Sequence, residues 1–155
     1  MKNMFKMMGV ALLAGAMLFT ACKKDEETTN TNTNNTPAPA IAVTFDGASW
    51  TSEEVMDYTA LENELVKFDI YKDAEAEVAS VQFVCKAAAD TYAFANSGYY
   101  AVYFDGVELY NNPAADGSIV VSAIDPQAKT ISGSITAAFG EKPLAVTLTN
   151  AKWAE

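Results

Sequence analysis

Seven aromatic side chains crowd residues 92–110: Tyr92, Phe94, Tyr99, Tyr100, Tyr103, Phe104 and Tyr110. A tyrosine on the solvent face of a sheet can stack on a sugar ring or anchor a protein interface, because its ring is apolar and its tip polar. With Val102 and Phe104 directed inward, alternation turns Tyr99, Tyr103 and Tyr110 outward, and these three are the candidate ligand-binding residues. Aromatics are also strand formers and core filler, which is the blander reading of the same segment.

Other chemistry is narrowed by what is missing. The chain has no histidine, and all ten of its basic residues are lysines. A Ser-His-Asp triad, a histidine-containing zinc site and an arginine finger are thereby excluded. Carboxylate-pair and Ser-Lys chemistry remain formally open. Glu53, Glu54, Asp57, Glu62 and Glu64 could supply such a pair, but read more simply as a solvated acidic face. Asn111, Asn112, Asp116 and Gly117 form an oxygen-rich loop without the spacing of a calcium loop. Cys85 shares a phase with Val81 and Phe83 and reads as a buried, inert thiol; Trp50 and Trp153 read as core. No catalytic residue, metal or cofactor is expected. The net charge is −10. From Ile41 onward, 17 acidic residues face 6 lysines, a balance that argues against a nucleic-acid partner.

The N-terminal segment carries an address. Lys2 and Lys6 precede an uncharged apolar run of thirteen residues, Met7 to Phe19; a membrane-spanning helix needs about 20. The run ends Leu18-Phe19-Thr20-Ala21-Cys22, which resembles the lipobox of bacterial lipoproteins, with Phe19 where leucine is usual. The resemblance implies a signal peptide over 1–21, cleavage before Cys22, and lipid on the Cys22 thiol holding the chain to a membrane. Lys23-Lys24-Asp25-Glu26-Glu27 is similar to the surface-export signal of Bacteroidota lipoproteins. On that likeness Lys24, Asp25 and Glu26 direct the chain to the outer membrane, facing the cell exterior; the plain alternative is a solvated charge run. Thr28 to Ala40 has no large apolar side chain and cannot offset the entropy of ordering. Residues 22–40 therefore read as a disordered tether stiffened at its end by Pro-Ala-Pro-Ala.

The remainder, 41–155, is punctuated by turn signals. Asp46-Gly47 and Asp105-Gly106 both suit two-residue hairpins. Asp125-Pro126-Gln127 and Gly140-Glu141-Lys142-Pro143 separate the later runs. From Thr130 to Phe139 the alternation is strict: Ile131, Gly133, Ile135, Ala137 and Phe139 share one face, and Ser132, Ser134, Thr136 and Ala138 the other. Gly133 in mid-strand suggests a bulge or a close approach. Leu144, Val146 and Leu148 alternate with Ala145, Thr147 and Thr149, as do Val66, Phe68 and Ile70 with Lys67, Asp69 and Tyr71. Thr51-Ser52-Glu53-Glu54 is a capping-box pattern, yet a strand over 55–59 is favoured. The expectation is an all-β domain, an antiparallel sandwich or open barrel of about eight to ten short strands.

Two pieces resemble a family of small uncharacterised Bacteroidota lipoprotein domains: the opening Phe45-Asp46-Gly47-Ala48-Ser49-Trp50, and the closing Thr130-Ile131-Ser132-Gly133-Ser134 with Val146-Thr147-Leu148-Thr149-Asn150-Ala151-Lys152-Trp153. Here Ser134, Ile135 and Ala151 stand where that pattern has Thr, Phe and Gly. The resemblance implies a β-rich fold and a lipid anchor, and carries no catalytic or binding residues. The functional expectation is a surface-tethered, non-enzymatic binding module for a glycan or a protein. A structural or assembly component of the cell envelope is the alternative.

Overall fold

The computed structural model describes residue 38 and residues 40–154, apart from 77 and 97. The expected signal peptide over 1–21, the expected lipidation residue Cys22 and the expected export residues Lys24, Asp25 and Glu26 lie outside the described residues. Among those described there is no helix and there are eleven strands. The number exceeds the expectation because β8 (Leu109–Tyr110) has only two residues.

Six strands form one half of the sheet, in the order β6 (Asp90–Ala93), β9 (Ser118–Asp125), β10 (Thr130–Phe139), β11 (Lys142–Ala154), β1 (Ala40–Phe45) and β2 (Ala48–Ser52). The other half runs β3 (Met56–Ala60), β4 (Leu65–Tyr71), β5 (Ser80–Lys86), β7 (Tyr100–Phe104) and β8. The halves join where the end of β11 pairs with β3, Trp153 to Met56, in parallel. The sheet is therefore mixed and open, not purely antiparallel. Inward side chains of both halves make one core, in which Phe68, Phe83 and Ile135 are fully buried. Trp153 joins the halves through Phe68 and Tyr58, with ring centroids 5.6 and 6.0 Å away.

That join depends on a bend. The register of β10 slips at Gly133 against both neighbours. A Cβ on Gly133 would sit 2.0 Å from the Val120 carbonyl oxygen, so a close approach and a bulge coincide there. On β11 the extra residue is taken up around Asn150, whose φ is +45°. The Ser132 hydroxyl accepts the Asn150 N–H at 2.9 Å and donates to its Oδ1 at 3.3 Å. The inward phase of β11 consequently shifts from Leu144, Val146 and Leu148 to Ala151 and Trp153.

The two Asp-Gly signals resolve differently. Asp46 and Gly47 both have positive φ and close a two-residue hairpin, Phe45 facing Ala48. Asp105-Gly106 instead opens a four-residue loop, since Phe104 faces Leu109. The Asp105 carboxylate accepts the N–H groups of Glu108 and Val107 at 2.8 and 2.9 Å, which lowers its pKa, Glu108 contributing most. An aspartate that caps its own loop in this way has no need of a left-handed backbone. Thr51-Ser52-Glu53-Glu54 ends a strand and starts no helix; the buried Ser52 hydroxyl accepts the Glu54 N–H at 3.1 Å.

Candidate functional site

The three expected tyrosines do not form an outward strip. Tyr103 is 4% exposed and belongs to the core. Its hydroxyl accepts the Trp50 indole N–H at 3.4 Å, and its ring lies 4.1 Å from that of Phe45. Tyr99 is half-buried against Tyr92, and Tyr110 against Phe45 and Phe139. The phase of β7 is thus opposite to expectation: Ala101 and Tyr103 face in, and Tyr100, Val102 and Phe104 face out. Both phases of this strand are apolar, so its pattern does not fix its direction. Packing does: Ala101 lies opposite Phe83 and leaves room for the Phe68–Phe83 stack, and Tyr103 lies where its hydroxyl finds a partner.

The outward residues meet others from neighbouring strands. Register places Asp57, Asp69, Gln82 and Val102 in one row across β3, β4, β5 and β7. On one side lies the row Thr59, Lys67, Val84 and Tyr100; on the other lie Tyr71, Ser80, Phe104 and Leu109. Together they form a groove of about 510 Å³ lined by Asp69, Tyr71, Ser80, Gln82, Tyr100, Val102, Phe104, Leu109 and Asn111.

Its floor is unusual for the side of a sheet facing away from the core. Asp69, which lines the groove, is 9% exposed, and Val84, in the neighbouring row and outside the lining, is 1% exposed. The Asp69 Oδ1 accepts the Gln82 amide N–H at 2.6 Å, and its Oδ2 pairs with the Lys67 ammonium at 2.9 Å. That hydrogen bond is the main reason the Lys67 pKa lies above its ordinary value. Asp57 directly opposes Asp69, a like-charge pairing that sheets normally avoid; Lys67 offsets it from the adjacent position. The Tyr71 hydroxyl is pushed to a higher pKa, first by burial and then by the Asp69 and Asp57 carboxylates.

The remaining sequence candidates are structural. Cys85 is fully buried, and burial pushes its thiol from 9.0 to about 12. Trp50 and Trp153 lie in the core. Gly117 turns the 111–117 loop, its N–H on the Ala114 carbonyl. Glu64 pairs with Lys86 at 3.2 Å. Among the described residues no three His, Cys, Asp or Glu side chains converge on a metal position. Sequence reasoning passed over Lys67, Asp69, Tyr71 and Gln82, although their alternation with buried neighbours was readable. Only the register between strands reveals that they share a patch with Tyr100 and Phe104.

Comparison of the chain with family models, with curated proteins and with solved structures finds no match.

Proposed function

We propose that the chain is a lipoprotein anchored in the outer membrane through Cys22 and facing the cell exterior, and that its β domain is a non-enzymatic binding module whose ligand face is the outer side of β3, β4, β5, β7 and β8. The observation that carries the reading is the burial of Asp69 and Val84 on a face that contributes nothing to the core. Desolvating a carboxylate costs free energy that this sheet could avoid with a wet polar residue; a preformed contact surface gives that cost a purpose. The anchor rests on Leu18-Phe19-Thr20-Ala21-Cys22, display on Lys24-Asp25-Glu26, and the likeness to small Bacteroidota lipoprotein domains on the opening and closing segments quoted above. A structural or assembly role in the envelope is the second reading. It is favoured by the other outer face, on β1, β2, β6, β9, β10 and β11, whose two central rows hold no charged residue.

The anchor and the binding face are tested separately. Cys22→Ser is expected to abolish labelling by a fatty-acid probe and retention in membranes; undiminished labelling refutes the anchor. Alanine at Lys24, Asp25 and Glu26 is expected to hide the domain from external protease on whole cells. For the face, the full chain captures glycans and proteins from cell-surface extracts, and Phe104→Ala is expected to lose what the parent retains. Equal capture refutes the assignment of that face.

A further inference from the structure

We propose that the groove takes a neutral, hydroxyl-rich saccharide, an assignment of ligand class that rests on the binding-face reading above. Three rings, Tyr71, Tyr100 and Phe104, line the groove around polar side chains. Ring faces beside hydrogen-bonding groups suit a pyranose, which has C–H faces and a hydroxyl rim. The hydrogen-bonding element is Asp69 with Gln82, joined at 2.6 Å across β4 and β5. An ionised carboxylate accepts about four hydrogen bonds, and an amide both donates and accepts. Gln82 and Lys67 occupy one site on each Asp69 oxygen, leaving acceptor capacity for the donors of a vicinal diol.

Charge selects among saccharides. No lysine lines the groove among the described residues. Lys67, one row away from the groove's Asp69, is already held by it, and Asp57 lies beside the pair. A uronate or sulfate would meet uncompensated negative potential. An extended peptide is disfavoured for a different reason. The backbone groups of β4 and β5 are engaged in ladders on both sides, so over Asp69 and Gln82 the groove offers side chains alone, and strand addition is confined to the edge of β7 and β8.

Affinity electrophoresis of the full chain in a polyoxyethylene detergent tests the assignment. The gels contain β-glucan, α-glucan, xylan or mannan, with polygalacturonate as the anionic comparison. Retardation by at least one neutral polymer and none by polygalacturonate is expected. Tyr100→Ala and Gln82→Ala should each weaken it about tenfold, the scale of one good contact, and Thr147→Ala on the opposite outer face should not. Migration unchanged in all four neutral polymers, retardation by polygalacturonate alone, or retention insensitive to both groove variants overturns the proposal. If it fails while Tyr100→Ala still removes a protein captured from cell extracts, the ligand class is wrong and the binding face stands. If no capture depends on Tyr100, both fall.

Discussion

The two outer faces of this sheet have the same pleat and opposite chemistry. On the six-strand half, register gives the rows Thr91, Val120, Ser134, Thr147, Ala42, Thr51 and Ala93, Ser118, Thr136, Ala145, Thr44, Ser49. These side chains are small and uncharged, and most are exposed. Water satisfies such hydroxyls, and nothing on this face is desolvated. On the other half, Tyr71, Tyr100 and Phe104 line a groove together with a carboxylate that is 9% exposed, and Val84 in the neighbouring row is 1% exposed. The core demands only one apolar face per sheet. Burial on the second face is the observation on which the proposed contact surface rests, whereas exposure of the small-residue face costs the protein little.

The sharpest contrast lies within one strand. Ile135 is fully buried and Thr136 exposed. Ile135→Ala is expected to cost about 2–5 kcal/mol, the price of a core cavity, and Thr136→Ala no more than about 0.5 kcal/mol. Thermal or urea unfolding of the two variants measures both; a larger loss for Thr136→Ala would reverse the inward and outward assignments of β10.

Alkali is the next lever. In the folded chain the Cys85 pKa is raised from 9.0 to about 12 by burial, and that of Lys67 is raised mainly by its hydrogen bond to Asp69. Both groups hold their protons more tightly folded than unfolded. Their contribution is complete below the unfolded values and is lost as pH rises through the folded ones. The urea midpoint should accordingly fall from pH 9 upward, and Cys85→Ala, though less stable at neutral pH, should show a shallower fall. A midpoint that rises between pH 9 and 11 would contradict the burial of this thiol.

A smaller effect belongs to the groove. Gln82→Ala removes the amide hydrogen bond to Asp69 and is expected to cost about 1–3 kcal/mol. A null result in urea unfolding would mean that water replaces Gln82 freely and that the floor is wet. Smallest of all, Thr44→Ala and Thr147→Ala on the opposite face should stay within about 0.5 kcal/mol of the parent; losses matching that of Gln82→Ala would erase the distinction between the faces.

Much of this was readable from the residues. Ile131, Ile135 and Phe139 face the core as their alternation requires, and Gly133 marks the bulge its position suggested. What escaped reading lies where local pattern is degenerate or where a distant partner decides. Residues 100–104 are apolar in both phases, so Tyr103 turns inward because of Trp50, 53 positions earlier in the chain. The phase shift on β11 depends on Asn150 and on a hydroxyl 18 positions away. Asp105-Gly106 resembles Asp46-Gly47 in sequence, but Asp105 caps a longer loop. The groove is the extreme case, because β4 and β5 show a largely polar outer phase, β7 shows two apolar phases, and their meeting is a property of register.

The claim that one outer face meets a partner and the other does not is tested most directly by photocrosslinking in living cells. A photoreactive phenylalanine analogue is placed in the full chain at position 100 and, separately, at position 147. Adducts are expected on irradiation from position 100 and not from position 147. Adducts from 147 with none from 100 would place the contact surface on the small-residue face and contradict the account.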